Sequence, residues 1–217
     1  MNLEQFPDKK SVEDQKADLS GADLTHAKLN GVDLTDANLT GANLRDANLR
    51  DANLTGANLI DAYLYDVKLS GANLTGANLS GADLTTLNLS GANLTGANLT
   101  NADLSAAKLN GVDLTDANLY GADLDGANLT DANLSGVDLT NVNLHTLSLN
   151  GVDLSDANLT DANLSRANLR DANLSGADLD DADLTDVKLK GANLFRANLR
   201  DRNIDELKSS GAILDGY

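Results

Sequence analysis

Two histidines, His26 and His145, are the only imidazoles in the chain, and more than half of the sequence separates them. No aspartate–histidine–serine constellation can be built from such a pair without a fold that brings them together. Serine and threonine abound, but none has an adjacent base that would make it a nucleophile. Aspartates recur along the whole chain at similar spacing, the pattern of a solvated surface rather than of one acid–base pair. There is no cysteine, which removes thiolate catalysis, disulfides and thiolate metal sites. Neither a glycine-rich phosphate loop nor an EF-hand or Gly-Asp calcium repeat is present. The many Asn-Leu-Ser and Asn-Leu-Thr triplets match a glycosylation acceptor but arise from the repeat described below. The expectation is a protein that is not an enzyme and that holds no cofactor and no metal. The side chains that do stand out are four lysines, Lys28, Lys68, Lys108 and Lys188.

The elements that position them follow from a strict period. Leucine occupies every fifth residue from Leu19 to Leu199, 37 pentads without a gap. Two residues earlier stands Ala in 28 pentads, Val in seven and Leu in two, Leu87 and Leu147. The slot between them is Asn in 20 pentads and Lys in four. A period of five fits neither a helix nor a long strand. Two apolar residues flanking a polar one make a short in–out–in extended side. The next two positions are rich in Gly, Asp, Ser and Thr, which suit a corner. Successive lysines lie eight, eight and sixteen pentads apart, and Leu87 and Leu147 lie twelve apart, all multiples of four. Ala27–Leu39 recurs identically at Ala107–Leu119. Each coil therefore contains four pentads.

The motif A-(D/N)-L-x-x over residues 17 to 199 resembles the pentapeptide repeat family. The resemblance implies an all-β fold, a right-handed quadrilateral β-helix (β-solenoid). Here it would have about nine coils of four pentads each, with short N- and C-terminal caps. The expected organisation is an N-terminal cap over 1–16, the solenoid over 17–204 and a C-terminal cap over 205–217. Leu3, Phe6 and Val12 supply apolar groups to the first cap. Asp205–Lys208 suits one helical turn, with Ile213, Leu214 and Tyr217 beyond it. Coils stacked about 4.8 Å apart give a rod about 43 Å long.

Composition fits such a rod. Only two Phe, four Tyr and no Trp are present, and the formal charge is −17. A stack of thin layers needs no large side chains. No apolar run has signal-peptide or membrane-spanning length, so a cytoplasmic protein without membrane contact is expected. Folding the sequence on a four-pentad period gives faces of net −7, −5 and −7 on the Leu24, Leu34 and Leu39 columns. The Leu29 face differs: Lys28, Arg50, Lys68, Lys108, Arg170, Lys188 and Lys190 against three Asp give net +4. This is the candidate basic interaction face.

The reading is a structural or protein-binding rod whose partner is a protein, with no direct nucleic-acid binding and with weak homo-association as a further option. Some members of the resembled family are thought to imitate B-DNA and bind type II topoisomerases such as gyrase. That implies a second reading, a DNA-mimicking topoisomerase modulator. Gyrase-protecting members often have Phe centres, interrupting loops and a long C-terminal dimerisation segment, and this chain has none of these. A third reading, ice binding, rests on the column Thr35, Thr55, Thr75, Thr95 and Thr115, continued by Ser135, Ser155 and Ser175. Its neighbouring column is Asp or Asn rather than a second row of Thr.

Overall fold

The computed structural model describes residues 8–200 and 204–214. Leu3, Phe6 and Tyr217 lie outside the described residues. Parallel bridges join each polar slot to the one four pentads on, for example Asp33 to Asn53 and Asn53 to Asn73. Four such ladders run the length of the chain, one for each pentad of a coil. The short sides form isolated one-residue bridges rather than extended strands. Only three residues stand between corners, so one residue per side reaches ladder geometry.

The pentad Ala52–Gly56 shows how the backbone is satisfied. Ala52 N–H donates to the Leu49 carbonyl at 3.1 Å, closing the corner. Asn53 donates back one coil to Val32 at 2.8 Å, while Leu54 and Gly56 donate forward to Asn73 and Thr75 at 2.7 and 2.8 Å. The remaining N–H, of Thr55, donates to the Oδ1 of Asn53 at 3.2 Å. All five donors are thus engaged, as an enclosed backbone requires. The fourth kind of bond explains the preference for Asn and Asp before Leu, since only a short side chain ending in an acceptor folds back to that N–H.

The residue before each Ala turns the corner with positive φ, near 55–70° at most positions. Gly, Asp and Asn adopt that conformation most readily. At Gly56 a side chain would also collide with the Asp36 carboxylate one coil below. Inside, Leu and Ala columns form one continuous core, with no buried polar residue among the described residues. Leu184, Val187 and Ala122 are only partly buried.

The ends are closed. Helix α1, Lys9–Asp14, is held by a reciprocal bond between Asp8 and Ser11 and drives Val12 into the core. A single 3-10 turn, Lys16–Asp18, leads into the repeat. The first coil's free edge is covered: Glu13 accepts the Asp33 N–H at 3.0 Å, and the Lys9 ammonium donates to the Gly31 carbonyl at 2.8 Å. Covering an edge in this way removes a template for pairing with other chains. At the far end helix α2 spans Ile204–Ser209. Beyond it the chain returns to the wall: Ile213 bridges Asn193, and Leu214 is buried. Among the described residues no helix is long and apolar enough to cross a membrane.

The column proposed for ice contact has internal partners. Thr55 Oγ1 donates to Asn53 at 2.7 Å and accepts from Asn73 at 3.0 Å. Thr35 is engaged in the same manner, and Thr75 Oγ1 donates to Asn73.

Two outcomes are expected. Leu94 is fully buried, so Leu94→Asp strands a carboxylate among leucines and costs at least about 3 kcal/mol. Thr95→Asp, one residue away on the surface, leaves the thermal transition nearly in place; equal melting of both variants and the parent would reverse the inside–outside assignment. The second concerns acid. The Thr35 hydroxyl, then the Thr35 N–H, then Lys16 hold the Asp33 carboxyl down at about 2. A depressed carboxylate stabilises the fold above its unfolded pKa and loses that effect as pH falls through its folded pKa. The Asp33 contribution is therefore lost between about pH 4 and pH 2. Carboxyl NMR titration should place its midpoint near 2 in the parent, and Thr35→Val should raise it.

Candidate interaction face

The lysines singled out by spacing fall on one ladder. Its bridges run Lys28, Asn48, Lys68, Asn88, Lys108, Asn128, Ser148, Asn168, Lys188. At about 4.8 Å per coil, Lys28, Lys68 and Lys108 stand about 10 Å apart and the row extends about 38 Å. Arg50, Arg170 and Lys190 follow the leucines of this same side, and their carbonyls accept from Gly31, Gly151 and Asp171 of the preceding coil. All seven side chains are exposed.

Their electrostatic setting separates them from the ion-paired cations. Among the described residues, none of the seven has a carboxylate within ion-pair distance; Arg50 reaches only Ser70 Oγ, at 3.3 Å. Elsewhere Lys10, Lys16, Arg166 and Arg200 pair with aspartates. Arg45 and Arg196 lie over the rings of Tyr63 and Phe195, at 4.9 and 4.8 Å. Nor do the lysines relieve stacked acids, because every bridge neighbour on their ladder is Asn or Ser.

The lysines also forgo a bond that the repeat makes elsewhere. A lysine has no acceptor, so the N–H groups of Asn30, Ser70, Asn110 and Lys190 lack the side-chain partner that Asn53 gives Thr55. On the same ladder the Oδ1 of Asn168 is buried without a hydrogen bond. The corner column leading into this face escaped the sequence reading. It holds His26, Thr86, Ala106, Thr146 and Arg166, all at positive φ. Tabulating the residue before each Ala on a four-pentad grid would have exposed it. His26 and His145 do not meet: the Nδ1 of His26 faces Asp46 at 3.5 Å, and that of His145 faces Ser165 at 2.8 Å. No cluster of metal-binding side chains occurs among the described residues.

Lys68→Asn restores the missing bond to Ser70. It should stabilise the fold by about 0.5–1.5 kcal/mol, read as a higher midpoint in urea; a lower midpoint would show that the lysine supports the fold.

Comparison with known proteins agrees with the geometry. The model of pentapeptide repeats matches in eight copies between residues 17 and 201. No curated protein matches the chain. Among solved structures, HetL, a pentapeptide repeat protein involved in heterocyst differentiation regulation in the cyanobacterium Nostoc sp. strain PCC 7120, is 40% identical. The match covers 80% of this chain and 83% of HetL, with a TM-score of 0.44. Rfr23, from the cyanobacterium Cyanothece 51142, is 40% identical over 48% of this chain and 68% of its own, with a TM-score of 0.35. QnrB1, a plasmid-mediated fluoroquinolone resistance protein, is 19% identical over 91% of each chain, with a TM-score of 0.49. With the repeat model matching nearly all of the region between the two helices, the chain belongs to the pentapeptide repeat family.

Proposed function

We propose that this protein is a non-enzymatic rod, a right-handed quadrilateral β-helix, that binds a protein partner through its Leu29 face. Four short sides per coil support the quadrilateral section; the hand is carried by family membership. The observation behind the binding role is the row of seven exposed cations that pair with no acid among the described residues. Exposed charges left without internal partners on a rigid scaffold are groups that an outside partner can engage at little ordering cost.

The test is affinity capture from the source organism's lysate with the parent and with Lys28, Lys68, Lys108 and Lys188 all changed to Asn. A protein held by the parent and released by the variant at low salt is the expected result. Equal capture by both, or none by either, removes the basic face from the function.

The charge of −17 favours a second reading, topoisomerase modulation by DNA mimicry. Duplex DNA carries about one charge per 1.7 Å, so a rod about 43 Å long would need about 25. In a gyrase supercoiling assay, this reading expects altered activity at tens of micromolar protein. Unchanged supercoiling there discards it.

A further inference from the structure

Departures from the repeat's local rules concentrate in three adjacent columns. Of the residues at positive φ in the corners, all but six are Gly, Asp or Asn. The six are His26, Thr86, Ala106, Thr146, Arg166 and Arg196. The first five share one column, at offsets of three, four, six and seven coils from His26. That corner leads directly into the lysine ladder. A β-branched residue such as Thr86 or Thr146 is strongly disfavoured there. In the next column stand Leu87 and Leu147, the only leucines in the Ala position, each just after one of those threonines. In the third are the four lysines that forgo the side-chain bond, and Asn168 with its unpartnered Oδ1.

Rule-breaking at one site in an otherwise consistent sequence is the mark of a constraint other than stability. We infer that this edge is a docking strip for an extended acidic polypeptide segment whose carboxylates recur about every 10 Å. The inference rests on the binding role of the basic face and names its ligand chemistry.

Three observations select that ligand. The lysines are unpaired, so each offers a full charge. Their period of about 10 Å is close to the rise of three residues in a polyproline-II chain, about 9.3 Å, where every third side chain points the same way. The strip is also narrow and bounded by carboxylates: Asp46, Asp66 and Asp186 on the leading corner, Asp51, Asp131 and Asp171 on the trailing one. Those margins repel a wide polyanion such as duplex DNA. No aromatic residue occurs in the ladder or its leading corner apart from the His26 imidazole, so the stacking platform that single-stranded nucleic acid needs is lacking. A shallow hollow lined by Asp46, Arg50, Asp66, Lys68, Ser70 and Thr86 lies along the junction of the leading corner and the ladder.

The experiment uses fluorescence anisotropy with two labelled peptides of one composition. One repeats Glu-Pro-Pro five times; the other places the five Glu in a block before the prolines. At low salt the parent should bind the periodic peptide at least about fivefold more tightly than the block peptide. The Lys→Asn quadruple variant should lose about tenfold. A control with Lys10, Arg45, Arg196 and Arg200 changed to Asn carries the same net charge and should bind like the parent. Thr86→Gly should raise the melting temperature, as expected of a corner held against stability. No preference for the periodic peptide, equal loss in the control, no binding at all, or tighter binding of an oligonucleotide or of a second copy of the chain would each overturn the inference. Lysine-dependent capture from lysate without peptide preference would leave the binding face standing while removing its assigned ligand.

Discussion

Every backbone N–H of a pentad must find an acceptor, and five residues offer few ways to do it. Two donors reach forward one coil, one reaches back, one closes the corner, and one is caught by the side chain before Leu. This set fixes the coil at four pentads, because the acceptors lie one coil on or one coil back, as from Leu54 to Asn73 and from Asn53 to Val32. It also dictates residue types. Ala and Leu face in because their neighbours' amides point along the axis. Asn or Asp must precede Leu to serve the last donor. The fifth residue must accept positive φ. A sequence that meets these demands along 37 pentads needs no aromatic core, since each layer is filled by small apolar groups already held at bonding distance from the next.

The same demands made much of the fold legible. The Leu and Ala columns separated inside from outside, and the lysine spacing set the coil length, because both are positional facts that a repeat prints in one dimension. Other features left no such trace. The sides are single bridges rather than strands because corners consume two of every five residues, a geometric limit that apolar periodicity does not register. The return of Ile213 to Asn193 was masked because helix α2 interrupts the pattern, although Ala212 and Leu214 still keep the register of the leucines before it. The basic face was readable from charge alone. The strained corner beside it was not, since Thr and Ala at a loop position look unremarkable until their φ values are known.

Electrostatics and strain reinforce one another on that edge. A rod of net charge −17 has ample carboxylate for its few cations, and off this face several are paired, as Arg166 with Asp186 or Lys16 with Asp33. On the face, the intervening ladder positions are Asn or Ser, which keeps acids out of reach of the lysines. Asn48, Asn88 and Asn128 restore the local bond next to Lys28, Lys68 and Lys108.

Rigidity gives this arrangement its meaning. A flexible chain carrying the same seven cations would lose most of their attraction to the entropy of ordering them. Here Lys68, Lys108 and Lys188 are each anchored by inter-coil bonds at both the N–H and the carbonyl; the Lys68 N–H donates to Ala47 at 3.0 Å and its carbonyl accepts from Leu49 at 2.9 Å. Charge spacing is therefore set by coil pitch rather than by side-chain conformation alone. A partner meets a ruler with marks at fixed intervals, and the solenoid's contribution to recognition is that interval. Exposed pairs are individually weak and screened by salt, so discrimination must come from matching several marks at once, which only a ligand of the right period achieves.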